Sequence, residues 1–354
     1  MIVSKPRQYN PSLPVDSSST SDTKKLYQYL NNTKPNLLVG CSEQFTSQNV
    51  LTGIIDEIES ITNRTPVIIN HEIYTQQTAL SNKTSMINLL NNHLSIGGIV
   101  GLHDHPGNPV TSTLFDTGYT GSGTGYADRS GTPLAQIKTG GGLNSTYLSY
   151  LDEVANIISS INGPVMYRPF HEINGNWFWW NGSDRRSDMI LVWQQTVDYL
   201  RNTKGLHNIL FVLNFDANGE LADSSYGGQA LSTWWPGTNY VDIVSLDYYP
   251  NSSPAYLLSP RFISAYNEVV QLAGTYNKPI GISEYGAQNL VAQTQTDFWS
   301  SLNTIHTYCR EIAFICTWNG NYAVNSKGNS ATGFANFCGD KRIVMLDNYN
   351  KDRP

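Results

Sequence analysis

Within seven positions the chain places Arg168, His171, Glu172 and Asn174, and three tryptophans (Trp177, Trp179 and Trp180) follow directly. The preceding Pro164-Val165-Met166-Tyr167 reads as a buried strand. So many ionisable and aromatic groups make poor core material, but they suit the carboxyl end of a barrel strand that delivers catalytic groups. Glu172 reads as a catalytic acid, and Glu284, at the end of the apolar run Lys278 to Ser283, as its partner. Two carboxyls facing each other across a cleft are what glycosidic cleavage needs. One, kept protonated, donates to the leaving oxygen; the other attacks the anomeric carbon or activates water. Glu172, beside His171 and Trp177, is expected in a drier setting that raises its pKa, and Glu284 is expected to stay ionised beside the donors Arg168 and Tyr249. Either glutamate alone could be an ordinary ion-pair partner at a helix start. Two of them, each closing an apolar run, make that reading poor.

Eight strand-like runs position these groups: Asn36 to Cys41, Thr65 to Asn70, Gly97 to Leu102, Pro164 to Arg168, Asn208 to Leu213, Val241 to Leu246, Lys278 to Ser283 and Ile312 to Thr317. Most are continuous Val/Ile/Leu-rich stretches, as parallel strands buried on both faces require. Amphipathic helical patterns lie between them, at Val50 to Ile61, Tyr147 to Ile161, Asp188 to Leu200, Phe262 to Tyr276 and Thr294 to Cys309. Strand and helix alternating in this way predict a single (β/α)8 TIM barrel over residues 36–354, with long loops after the strands. Residues 1–35, rich in Pro and Ser at the start, are expected to be an extension packed on the surface or partly disordered. Polar and aromatic residues follow the strands: Ser42-Glu43, His71-Glu72, His103-Asp104-His105, Asn214-Phe215-Asp216, Asp247-Tyr248-Tyr249, Glu284-Tyr285 and Trp318-Asn319. In a barrel all of these converge on one rim, where active sites of this fold sit. The loop from His103 to about Leu143 is long enough to form a cleft wall. Its Gly121-Ser122-Gly123-Thr124-Gly125 is no phosphate loop, since it neither follows a strand directly nor opens a helix with a lysine.

Composition narrows the partners. Only 14% of the 354 residues are charged and the net charge is -6, with Tyr, Trp, Asn and Ser plentiful. That surface suits a neutral substrate and lacks the basic patch a nucleic acid needs. No apolar run approaches a membrane helix, and residues 1–20 lack the apolar centre of a signal peptide. The chain is then either intracellular or a mature extracellular protein with an added Met1; extracellular is the expectation, with which six Asn-x-Ser/Thr sequons in an Asn-rich chain are compatible. A monomer is expected. Cys41 and Cys316 lie in strand-like runs and should be buried thiols, whereas Cys309 and Cys338 could pair.

The stretch Tyr167-Arg168-Pro169-Phe170-His171-Glu172-Ile173-Asn174-Gly175-Asn176-Trp177-Phe178-Trp179-Trp180 resembles the acid/base signature of glycoside hydrolase family 26, the β-mannanase family. Ile282-Ser283-Glu284-Tyr285-Gly286 resembles its nucleophile strand, and Trp235-Pro236-Gly237 through Asp247-Tyr248-Tyr249 is similar to its strand-six region. The resemblance runs from about residue 36 to about residue 345. It implies a retaining endo-β-1,4-mannanase with Glu172 as acid/base and Glu284 as nucleophile. It also implies that His171 binds sugar at the scissile bond, that Tyr249 holds the nucleophile, that Trp177 and Trp318 are sugar platforms, and that His103 lines the cleft. Arg168 and Asn319 complete the expected substrate-binding set. β-Mannan, glucomannan and manno-oligosaccharides are the implied substrates, and no cofactor is implied. The family's β-1,3-xylanase, mixed-linkage glucanase and exo-acting mannobiohydrolase activities are the alternatives. A barrel that binds polysaccharide without cleaving it would lack one of the two carboxylates. The chain departs from the family in His103-Asp104-His105, where a Trp-containing His motif is usual, and in Trp318-Asn319, where an Arg often follows the Trp.

Other features carry plainer expectations. His103, Asp104 and His105 point to hydrogen bonding more than to a metal. Trp179 and Trp180 should pack beneath the site, Trp234 and Trp235 pack on helices or form a remote subsite, and His71 and Glu72 line the far rim or support it.

Overall fold

The structure, a computed structural model, describes residues 13–43, 53–73, 80–115, 125–249, 259–286, 307–319, 322 and 330–352. Eight parallel strands form the expected barrel: β1 (Leu37–Glu43), β2 (Ile68–Glu72), β3 (Ile99–His103), β4 (Val165–Arg168), β5 (Ile209–Asp216), β6 (Ile243–Tyr248), β7 (Ile280–Tyr285) and β8 (Ile312–Thr317). They pair in the order β2-β3-β4-β5-β6-β7-β8-β1, and a β1–β2 pairing closes the ring. A two-residue strand not foreseen from the sequence, β9 (Ile343–Val344), pairs beside the start of β1.

Alternation explains the continuous apolar runs. Successive side chains of a strand point to opposite faces, and both faces are covered. Leu38, Ile68, Ile99, Met166, Leu210, Ile243 and Phe314 fill the barrel interior. Neighbours such as Val39, Ile69, Val100, Val165 and Ile315 pack outward into the layer of helices. That layer includes α2 (Gly53–Thr62), α3 (Leu80–Ser95), α4 (Pro133–Ile137), α5 (Asn144–Ser159), α6 (Arg186–Asp198), α7 (Pro260–Tyr276) and the helix Ser330–Cys338. Local sequence fixes α7 at both ends. Ser259 caps its start by accepting from Phe262 N at 3.2 Å, Pro260 occupies the first turn, and Asn277 ends it in the left-handed region at φ 55°. Phe262, Ala265, Val269, Leu272 and Ala273 are its buried face.

The bottom of the barrel is closed by α1 (Ser21–Asn32), started by Thr20 and burying Leu26, Tyr27 and Leu30 against the interior core. Val15 N donates to Asp242 Oδ1 at 2.8 Å, and the His207 ring meets Asp16 at 2.8 Å, which ties the segment before α1 to the barrel. Residues 1–12 of the expected extension lie outside the described residues, as does most of the helix expected over Thr294 to Cys309. The long loop after β3 contains α4 and a 3-10 turn at Gly125–Ala127; its residues 116–124 are outside the described set. All four cysteines are buried free thiols, so Cys309 and Cys338 do not pair. Among the described residues no helix is long and apolar enough to cross a membrane.

Candidate active site

Neighbouring strand ends set polar residues side by side. Glu72 of β2 registers with His103 of β3, and His103 with Arg168 of β4. On the other side Asp216 of β5 registers with Asp247 of β6, and Asp247 with Glu284 of β7. A register shift between Leu246 and Asp247 brings that last pair level. Three carboxylates therefore line one arc of the rim, and the buried Arg168 faces them. Arg168 donates through Nη1 to Asp247 Oδ2 at 2.7 Å and through Nη2 to Glu284 Oε1. Such a planar fork between two carboxylates holds both in fixed directions. Tyr249 OH donates to the other Glu284 oxygen at 2.5 Å, so each oxygen of this carboxylate has its own donor.

Glu172 arrives differently. It lies past the end of β4, in a turn where Phe170 and Glu172 both adopt positive φ, 49° and 54°. Non-glycine residues hold that conformation only when their surroundings over-determine it. Here Glu172 N donates to Asn214 Oδ1 at 2.7 Å, Gly175 N donates to Glu172 O at 2.8 Å, and Trp180 Nε1 donates to His171 O at 2.8 Å. Trp177 folds back so that its Nε1 donates to Glu172 Oε2. This return needs a glycine at 175, where a Cβ would come within 2.6 Å of the Trp177 ring. Burial above all, then the charges of Asp216, Glu284 and Asp247, push the Glu172 carboxyl well above its ordinary range; the Trp177 hydrogen bond pulls the other way. Asp216, buried and hydrogen-bonded to Glu172, is itself pushed up to about 7, by burial first. Burial, with His105, Arg168 and His103 nearby, drives the His171 imidazole well below its usual range, so it is neutral.

Oxygens of Glu172, Asp247 and Glu284 all lie within 4.8 Å of one another. A guanidinium already bridges two of these carboxylates. The cleft above them is lined by His105, Tyr126, His171, Glu172, Trp177, Phe178, Tyr249, Glu284, Trp318 and Tyr322. The structure thus gathers Glu172, Glu284, His171, Trp177, Tyr249 and Trp318 of the expected set into one cleft. Three others sit elsewhere. Arg168 lies beneath the cleft, 4% exposed, and holds Asp247 and Glu284, the donor role expected of it beside the nucleophile, without lining the cleft as a substrate-binding residue. His103 ends β3 pointing into the barrel interior, against Asn70, Met166 and Arg168, and the histidine on the cleft wall is His105. Asn319 is not among the lining residues; its Nδ2 is buried with no hydrogen-bond partner among the described residues.

Support beneath the cleft comes from Asn214, to which the sequence reading gave no role, and from Glu72, for which support was one of two readings. Asn214 accepts from Glu172 N and Arg168 and donates to Ser245 Oγ and Asp247 Oδ1, both at 2.8 Å, so it couples the two carboxyl sites. Its signal was a polar residue closing an apolar strand run. Glu72 meets His105 Nδ1 at 2.9 Å and lies 3.5 Å from His103 Nε2. Burial would raise the Glu72 carboxyl, but His105 and His103 hold it well below the usual range. Asp104 turns away to accept from Tyr150 and Tyr167. Trp179 and Trp180 are fully buried, as expected; Trp234 is buried as well, and Trp235 stacks on Tyr276 at 4.2 Å, which is helix packing.

A family model described as "Glycosyl hydrolase family 26" matches residues 15–337. A mannan endo-1,4-beta-mannosidase of Bacillus subtilis (strain 168) is 26% identical over 348 residues, covering 93% of this chain and 88% of that protein. A mannan endo-1,4-beta-mannosidase of Thermothelomyces thermophilus is 24% identical over 356 residues, 96% of this chain and 64% of that one. The solved catalytic domain of a Bacillus sp. JAMB-750 GH26 endo-β-1,4-mannanase has the same barrel fold, with a TM-score of 0.79 at 24% identity over 96% of this chain and 95% of that one.

Proposed function

The chain belongs to glycosyl hydrolase family 26, and we propose that it is a retaining endo-β-1,4-mannanase with Glu172 as acid/base and Glu284 as nucleophile. One observation carries the mechanism: carboxylate oxygens of Glu172 and Glu284 lie within 4.8 Å of each other. Inverting enzymes need about 6.5–9.5 Å to seat a water between their carboxyls, whereas direct attack needs them close. The substrate class rests on the relatives, two of which are named mannan endo-1,4-beta-mannosidases over nearly the whole of this chain.

In the first step a Glu284 oxygen bonds to the anomeric carbon as the glycosidic C–O bond breaks, and Glu172 gives its proton to the departing oxygen. A glycosyl ester on Glu284 results. In the second step Glu172, now a carboxylate, takes a proton from water as that water displaces Glu284, and both residues regain their starting states. Arg168 and Tyr249 aim the nucleophile, and Trp177 and Trp318 offer flat faces to the sugar rings. Neutral His171, with His105 beside it on the cleft wall, stands within reach of sugar hydroxyls. A polymer of this size cannot enter a cell intact, which supports an extracellular site of action for a monomeric chain.

A timed product profile on glucomannan, linear mannan, β-1,3-xylan and mixed-linkage glucan tests the reading. A spread of manno-oligosaccharides from the first minutes is expected. Mannobiose alone would make the enzyme exo-acting, and products only from xylan or glucan would overturn the substrate.

A further inference from the structure

We propose that Glu72, His103 and His105 form a binding site for one divalent transition-metal cation of the zinc class, opening on the cleft wall, and that its occupancy competes with the sugar. One carboxylate oxygen and one nitrogen from each ring all lie within 4.8 Å of one another, and all three residues are buried. Two imidazoles and a carboxylate are a donor set that zinc accepts, leaving a fourth position for water. The two rings meet edge to face with centroids 5.9 Å apart, and His105 in turn abuts His171 at 4.4 Å.

A second observation points to a ligand. Both ring nitrogens of His103 are buried with no hydrogen-bond partner among the described residues, and the 3.5 Å from Nε2 to Glu72 is long for a hydrogen bond. Buried polar groups in this state ordinarily have a water or an ion beside them. The chain neighbour Asp104 takes no part, because strand alternation turns it toward Tyr150 and Tyr167. Ligand atoms around zinc stand roughly 3.3–3.5 Å apart at bond lengths of about 2.0–2.2 Å. Small ring rotations of His103 and His105 toward Glu72 would close the site. The ion enters between His105 Nδ1 and Glu72, so the metal–nitrogen bond replaces the Nδ1–H contact and the ring's proton resides on Nε2. Since His105 also lines the cleft, the ion and its water would occupy space beside His171 that a sugar needs.

The test uses protein stripped with a chelator, titrated with zinc chloride by calorimetry and with cobalt(II) by visible absorption. Expected are one equivalent of zinc and the intense visible bands of a four-coordinate cobalt site. His103→Asn and Glu72→Gln should each weaken zinc binding by at least about tenfold. Bound zinc should weaken manno-oligosaccharide affinity by a similar factor. No saturation below millimolar zinc, the faint spectrum of octahedral cobalt, or undiminished affinity in a folded His103→Asn protein would overturn the site. Unchanged sugar affinity with zinc bound would overturn the competition. The cobalt spectrum needs no variant, and it and the zinc titration need no sugar, so the result on the site itself stands apart from which polysaccharide is cleaved.

Discussion

Asp216→Asn should move the alkaline limb of the kcat/KM–pH profile toward acid by about 1–2 pH units. As general acid, Glu172 must be protonated in the free enzyme, so the alkaline limb falls where its carboxyl ionises. Burial is the largest cause of its upward shift, and the charge of Asp216 is the largest of the electrostatic contributions. Two unit charges about 4 Å apart in a medium of effective dielectric near 20 repel by about 4 kcal/mol. At about 1.36 kcal/mol per pKa unit that is at most roughly three units. Asp216 is itself pushed up to about 7 and hydrogen-bonds to Glu172, so it carries its full charge only in the upper part of the range. About half of the maximum is therefore the expected movement. The amide keeps the shape and can still accept from Asn218 N, which donates to Asp216 Oδ1 at 2.5 Å. Trp177→Phe provides the opposite sign. It keeps an aromatic platform but removes the N–H that favours the charged Glu172, so its limb should move toward alkali. The assay is initial-rate hydrolysis of a soluble manno-oligosaccharide from pH 4 to 10 in both variants and the parent. Limbs that stay in place, or that both move the same way, would refute the assignment of the alkaline limb to Glu172.

Tyr249→Phe removes one of the two donors that fix Glu284 and should lower kcat about a hundredfold with little change in thermal stability; single-turnover rates check it. Asn214→Ala leaves the buried Glu172 N–H unpaired and loosens the turn held at φ 54°. It should cost about 1–3 kcal/mol in urea unfolding and at least tenfold in kcat/KM. Asp104 and Asp242 are each pushed up to about 6, by burial first. The folded chain then binds more protons than the unfolded chain between about pH 4 and 6. Their contribution is complete below about pH 4 and is lost as pH rises through about 6, on the order of 2–3 kcal/mol for each. Calorimetric Tm across that window should fall more gently in Asp104→Asn than in the parent.

The barrel was legible because its strands are apolar on both faces, so each reads as an unbroken Val/Ile/Leu run. The ends of the strands were not. The β5 run was expected to stop at Leu213, yet the strand continues through Asn214 to Asp216. Both polar residues are buried and hydrogen-bonded, so the backbone stays extended where the apolar pattern stops. The helix α1 was folded into the extension over 1–35, although Leu26, Tyr27 and Leu30 already have helical spacing. The two glutamates, His171, Trp177, Tyr249 and Trp318 were legible because strand ends in a barrel share one rim. His103 was placed on the cleft wall, and Glu72 was left between rim and support, for one reason. Sequence neighbours such as His103 and Asp104 point to opposite faces, while the partner across the sheet, Glu72, is distant in the chain. Whether Cys309 and Cys338 pair was left open for a similar reason, since spacing carries no information on which side of the barrel each thiol is buried.

The central claim is a covalent intermediate on Glu284 released with help from Glu172. Its most direct test is peptide mass mapping of the Glu172→Ala protein after brief incubation with an aryl β-mannobioside whose leaving group needs no protonation. The account predicts that the enzyme accumulates one mannobiosyl adduct, carried on the peptide containing Glu284. An adduct on any other residue, or turnover as fast as the parent with no adduct, would contradict it.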